Sequence, residues 1–230
     1  MNRPKEAESL ETVLERIQGT LESLKGRPTT PPLLQERDSE PKQKAWLDKW
    51  LRINPRKNQQ LLEMQVQVRE FCSGYAKCPA SGYRLILHGE NGCGKTHTAR
   101  AISNWARLNA INLPLVNAPG NEVVSCLATT QYVNWPRVID EMKSGDWEMV
   151  ERMMTPNLLV IDDIGAEYDP SKIATEKLYL LLEHRERKWM VLTTNVPPEK
   201  WEEKFERRIS SRLLRNSHIV ALDKVPDYNS

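Results

Sequence analysis

Eight residues, Gly89-Glu-Asn-Gly-Cys-Gly-Lys-Thr96, constrain this chain more than any others. They follow a short apolar run, YRLILHG, and they open KTHTARAISNWARLN, whose apolar residues recur at helical spacing. A strand, a glycine-rich loop and a helix in that order turn successive backbone N–H groups toward one anion. The new helix adds the positive end of its dipole. Lys95 then stands where it can reach the β- and γ-phosphates of a nucleotide, and the Thr96 hydroxyl where it can ligate Mg²⁺. The expected phosphate cradle is Gly89, Asn91, Gly92, Cys93, Gly94, Lys95, Thr96 and His97.

Further along, strands alternate with helices. NLLVIDDIG and WMVLTTN are short apolar runs, the mark of strands covered on both faces. WPRVIDEMKSGDWEMVERMM, SKIATEKLYLLLEHRERK (opened by Pro170 and Ser171) and KWEEKFERRISSRLLRN have helical character. A helix over 58–72 leads into the first strand. Residues 112–133 show no clear period, although TTQYVNW contains a strand. The alternation predicts a parallel sheet covered by helices on both sides.

Three more elements carry chemistry. Asp162 and Asp163 end a buried strand; the first carboxylate can hold the Mg²⁺ shell and the second can polarise an attacking water. Thr193-Thr194-Asn195 ends the next strand, so that Asn195 can hydrogen-bond both the water and the γ-phosphate. Arg207, Arg208, Arg212 and Arg215 crowd one helix. Inserted into a neighbouring copy, Arg212, aided by Arg208, would stabilise transition-state charge. The plainer alternative is a basic helix face against water or nucleic acid.

The N-terminal part has a different character. Leu10, Leu14, Ile17, Leu21 and Leu24 form an apolar stripe over residues 8–25. It is either a helix packed on its own domain or a docking helix for a partner. GRPTTPPLLQERDSEP after it reads as a linker. The division expected is a helical docking segment at 1–28, a linker at 29–41 and the catalytic domain from 42 to 230. Trp46 and Trp50 lie one helical turn apart in a basic stretch; they are core residues or, with the lysines, a nucleic-acid surface. The net charge of +2 selects no partner class, and no apolar run is long enough for a membrane helix. The polar N-terminus does not fit a signal peptide, which points to the cytoplasm. Cys72, Cys78, Cys93 and Cys126 lack the spacing of a zinc site and suit a reducing compartment.

Taken together, GENGCGKTHTARAI, LLVIDDIGAE, TTN and RRISSRLLRN resemble the AAA+ ATPases of the helicase-loader group, DnaC and DnaI, and their transposition relative IstB. The resemblance runs from about residue 80 to 222. It implies a three-layer αβα AAA+ core that binds ATP with Mg²⁺. It also implies the absence of a C-terminal lid domain, since the sequence stops eighteen residues after Arg212, and hence modest ATP affinity. Most AAA+ ATPases carry Glu where Asp163 stands, although the Asp-Asp form is familiar in this group. The shorter side chain brings the water closer or slows turnover. By resemblance the partners are a replicative helicase, gripped through residues 8–25, single-stranded DNA, and further copies through the Arg212 helix. The missing zinc ligands lean away from the DnaI type. The alternatives are an IstB-like regulator of a transposase on duplex DNA, a small-molecule kinase, and a scaffold that binds ATP and barely hydrolyses it.

Overall fold

The computed structural model describes residues 58–109, 112–115, 124–144 and 148–225, with backbone alone at 112–115 and 124–126. The stripe at 8–25, the linker, Trp46, Trp50, the Cys126 side chain and the expected boundaries at 28 and 41 lie outside them.

Within this part, α1 spans Gln59–Lys77 and starts on the Asn58 side chain, which accepts from the backbone N–H of Gln60 at 2.8 Å and of Leu61 at 3.4 Å. Then follow β1 (Arg84–His88), α2 (Lys95–Leu108), β2 (Asn112–Leu115), β3 (Val124–Leu127) and β4 (Thr130–Asn134). Next come α3 (Trp135–Lys143), α4 (Met149–Met154), β5 (Leu158–Ile164), α5 (Ile173–His184), β6 (Trp189–Thr194), α6 (Trp201–Leu214) and β7 (Ser217–Ala221).

Five strands form one parallel sheet in the order β4-β5-β6-β1-β7. The phosphate-loop strand β1 and the acidic strand β5 are thus separated by β6, the strand that ends in Thr193-Thr194-Asn195. β5 and β6 are fully apolar up to their ends because both faces are covered. Leu158 and Val160 face a core shared with α1 and α2. Leu159 and Ile161 face the opposite core, shared with α3, α5 and α6. That alternation produces the three layers.

The expected α/β class and double cover are as observed. Several details differ. The long helix read over 135–154 is two helices, α3 and α4. The helix begun at Pro170 starts at Ile173, after Lys172 in a left-handed conformation (φ 59°). The unreadable region contains an antiparallel pair, β2 and β3. β7 was not expected; its sequence, SHIVA, is half polar because among the described residues it lies at the sheet's edge, beside β1.

Two buried arginines close the amino edge of the sheet. The Arg84 guanidinium donates to the carbonyls of Arg212 at 2.9 Å, Arg215 at 2.8 Å and Leu182 at 2.7 Å. Those carbonyls end α5 and α6, where the helix dipole is negative and the last C=O groups have no helical partner. Arg185 does the same after α4, donating to Met154 O at 3.1 Å and Pro156 O at 2.8 Å, and to Trp189 O at 3.0 Å. Burial, and then the charge of Arg84, bring Arg185 down to about 10, so it is still a cation at neutral pH.

Candidate functional site

The phosphate loop leaves β1 at its carboxyl end. Gly94 sits at φ 93° immediately before α2, a left-handed conformation that L side chains rarely adopt, although a Cβ there would meet nothing within 4 Å. Gly89 is a matter of space as well: a Cβ would lie 2.9 Å from the backbone carbon of Leu222, in the segment after β7. The Lys95 ammonium is buried in the loop and donates to the carbonyls of Gly89 at 2.8 Å and Glu90 at 2.6 Å. Cys93 is buried and a free thiol. Asn91 and Gly92 lie in the same turn, and His97 in the first turn of α2.

Asp162 is buried at the end of β5, and three hydroxyls converge on it. Thr96 donates to Oδ1 at 3.1 Å and Thr193 to the same oxygen at 2.7 Å. Tyr132 donates to Oδ2 at 2.6 Å and itself accepts from Arg100 Nε at 3.1 Å. Thr96 and Asp162 are hard oxygen donors beside the loop, the donor set that Mg²⁺ takes next to nucleotide phosphates, so the residues fit that ion.

Asp163 turns away from the strand. Its φ is 68°, and the β5–β6 register shifts between Ile161 and Ile164. A non-glycine residue held there is strained, and such strain collects at functional sites. The Thr193 hydroxyl locks the turn: it accepts from the Asp163 N–H at 2.8 Å while donating to Asp162. Asn195 Nδ2 lies 3.4 Å from Asp163 Oδ1. Burial first, then the neighbouring Asp162 charge, raise the Asp163 carboxyl above its ordinary range, and Lys95 opposes them. A carboxylate beside a phosphate cradle, raised in basicity, is suited to drawing a proton from water.

Arg208 and Arg212 are elsewhere. Both guanidiniums lie over the Tyr179 ring of α5, at 4.8 and 4.1 Å from its centre. Arg212 also pairs with Glu183 at 3.2 Å. Its carbonyl is held by Arg84, which begins β1, whereas the phosphate loop follows the other end of that strand, about 16 Å away at 3.3 Å per residue. Arg212 therefore does not join the site of its own chain. α6 is kinked before them at Glu206 (φ 67°, ψ 155°), which pairs with Lys172 at 2.9 Å and Arg208 at 3.2 Å.

The structure brings together the loop, the acid pair and Asn195, which sequence reading singled out, and adds Tyr132, Arg100 and the double role of Thr193, which it did not. Thr193 lay within a quoted motif. Tyr132 carried no local signal, because its partner is thirty residues away.

A five-stranded parallel sheet between helical layers, with a phosphate loop after β1 and an acid at the end of β5, defines a P-loop NTPase with an AAA+ core. The profile of the IstB-like ATP-binding protein family matches residues 80–225, and the chain belongs to that family. An ATP-binding protein in an insertion sequence of Mycobacterium tuberculosis is 25% identical over 155 residues, covering 62% of this chain and 55% of that protein. The replication initiator DnaA of Campylobacter fetus is 24% identical over 140 residues, covering 60% of this chain and 29% of DnaA. The chain thus spans about half or less of these relatives. Among solved structures, the DnaC helicase loader superposes with a TM-score of 0.59 at 19% identity, covering 76% of this chain and 94% of that one. DnaI follows with 0.54 at 20% identity, covering 71% and 83%. At these identities the likeness is one of fold. Among the described residues, no helix is long and apolar enough to cross a membrane.

Proposed function

We propose that this chain hydrolyses ATP at a site shared between neighbouring copies, and that its nucleotide state times the delivery of a replicative helicase onto single-stranded DNA. The observation that carries the shared site is the separation just described. Lys95, Thr96, Asp162, Asp163 and Asn195 lie at one edge of the sheet, and Arg212 lies at the other. A head-to-tail pair of copies would bring the arginine of one to the phosphates of the next.

In this reading the loop N–H groups and Lys95 bind the phosphates. Lys95 exchanges the Gly89 and Glu90 carbonyls for the β- and γ-phosphate oxygens. Thr96 and Asp162 hold Mg²⁺, which when bound offsets charge on those oxygens. Asp163 orients a water in line with the γ-phosphorus and accepts its proton as the bond to the β–γ bridging oxygen breaks, giving ADP and phosphate. Asn195 steadies the Asp163 carboxylate, and the neighbour's Arg212, with Arg208 beside it, meets the charge spread over the γ-oxygens. The helicase-docking element is the stripe at 8–25, reached through the linker before residue 42, and the working compartment is the cytoplasm.

The insertion-sequence relative favours a second reading, in which the same ATPase regulates a transposase on duplex DNA. ATP turnover, measured alone and with single-stranded or duplex DNA at two salt concentrations, separates the two. The loader reading expects stimulation by single strands that falls with salt. Stimulation by duplex alone replaces it with the transposition reading, and ATP binding without turnover in any condition removes hydrolysis from both.

A further inference from the structure

We propose that Tyr132 and Arg100 form a positioning relay for Asp162, holding its carboxylate in the one orientation that serves the Mg²⁺ shell. This rests on the reading of Asp162 as the metal-side carboxylate, and it concerns two residues to which the sequence motifs assign no role: Arg100, within the first motif, and Tyr132, outside all four.

The direction of every hydrogen bond in the relay is determined by chemistry. Arg100 can only donate, and an ionised Asp162 can only accept. Tyr132 must therefore accept from Arg100 at 3.1 Å and donate to Asp162 Oδ2 at 2.6 Å. The guanidinium also lies 5.4 Å from the centre of the Tyr132 ring, so the cation and the ring are held together by two contacts. The bond to Asp162 is short, as expected for O–H donating to a carboxylate.

The second argument is one of capacity. A carboxylate offers about four lone-pair sites. Thr96 and Thr193 take two on Oδ1, and Tyr132 takes one on Oδ2. One site is left, on Oδ2. With Oδ1 filled by the two threonines, the relay restricts Asp162 to a single further contact, on Oδ2.

The fold explains the reach. Tyr132 is opposite Val160 in the β4–β5 register, two residues before Asp162 and so on the same face of the sheet. An aromatic side chain spans that diagonal to a neighbouring strand. Arg100 comes from α2, the helix that the phosphate loop opens, so the relay ties the edge strand to the helix carrying Thr96.

The test measures binding of a fluorescent ADP analogue to the full chain while free Mg²⁺ is titrated, with wild type, Tyr132→Phe and Arg100→Ala. Tyr132→Phe keeps the ring and its packing and removes only the hydroxyl. The expected result is an apparent Mg²⁺ affinity lowered about 10-fold in Tyr132→Phe, the scale of losing an outer-shell partner. Arg100→Ala should lose less, and metal-free nucleotide affinity should be unchanged in both. A wild-type-like Mg²⁺ dependence in Tyr132→Phe overturns the relay alone. So does an equal loss of metal-free and Mg²⁺-loaded binding, which would mark a role in the fold. A wild type whose nucleotide binding ignores Mg²⁺ overturns the reading of Asp162 together with the relay.

Discussion

The two edges of the central sheet use the same kinds of charged group in opposite ways. At the carboxyl edge, Asp162 and Asp163 are surrounded by hydroxyls and N–H groups, and a helix begins there with its positive end toward the loop. At the amino edge, Arg84 and Arg185 are buried among the carbonyls where α4, α5 and α6 end. The difference follows from the polarity of a parallel sheet. Every helix after a strand starts at one edge and returns to the other, so orphan donors collect at the first and orphan acceptors at the second. Donors attract phosphate and carboxylate; acceptors attract guanidinium. The phosphate-loop edge buries Lys95 and Asp162 and leaves Asp163 half-buried, and the opposite edge buries two cations to hold the helices while Arg212 lies on the Tyr179 ring.

If the edges are so divided, Arg212→Ala should act on turnover and not on nucleotide binding. The largest expected effect is a loss of roughly 10³-fold or more in turnover within assemblies, typical of a removed arginine finger. Mixing with Lys95→Ala subunits, which keep Arg212 but cannot bind nucleotide, should restore part of it. A concentration-independent ATPase indifferent to Arg212→Ala would erase the functional half of the comparison.

Arg84→Met tests the structural half. It removes a buried cation from the carbonyls that end two helices, and urea denaturation should show a loss of about 3–5 kcal/mol. A change under 1 kcal/mol would mean that water reaches those carbonyls.

Asp163→Asn should lower turnover by about 10²–10⁴-fold, as for loss of a general base, and leave ATP binding intact. The same change should raise stability at neutral pH. The folded state holds the Asp163 proton more tightly than the unfolded chain, so the carboxyl costs stability as pH rises from the ordinary carboxylate range through its raised folded value. Asn removes that cost. Thermal melts at pH 3 and pH 8 check the sign: the gain should be present at pH 8 and absent at pH 3. For the same reason the acid limb of the turnover profile should lie above that of an ordinary carboxylate.

The smallest effect expected is that of Thr193→Val, which deletes one hydroxyl serving both acids. A loss of about 1–3 kcal/mol is expected from the Asp163 N–H and Asp162 left short of a partner. No change would assign the Asp163 turn to the backbone alone.

The sequence by itself determined the class of fold and half of the candidate site. Apolar runs bounded by glycine and charge predict strands, and the loop from Gly89 to Thr96 is a local motif whose conformation its own glycines dictate. Asp162 was legible because it ends a run of apolar residues, Asp163 because it follows that acid, and Asn195 because it closes the Thr-Thr-Asn end of the next such strand. Only the tertiary structure decided the strand order, with β6 between β1 and β5, and the edge strand β7, whose half-polar sequence lacks the strong signal of a buried one. It also decided that Tyr132, held by Arg100, meets Asp162, that Arg84 caps helices through carbonyls 98 and 128 residues away, and that Arg212 lies far from its own chain's loop. The physical reason is range. Helical and strand periods express contacts between residues a few positions apart, whereas these groups find their partners through desolvation. A buried arginine or carboxylate takes whichever complementary atoms the packed layers bring to it, however far apart they lie in the chain.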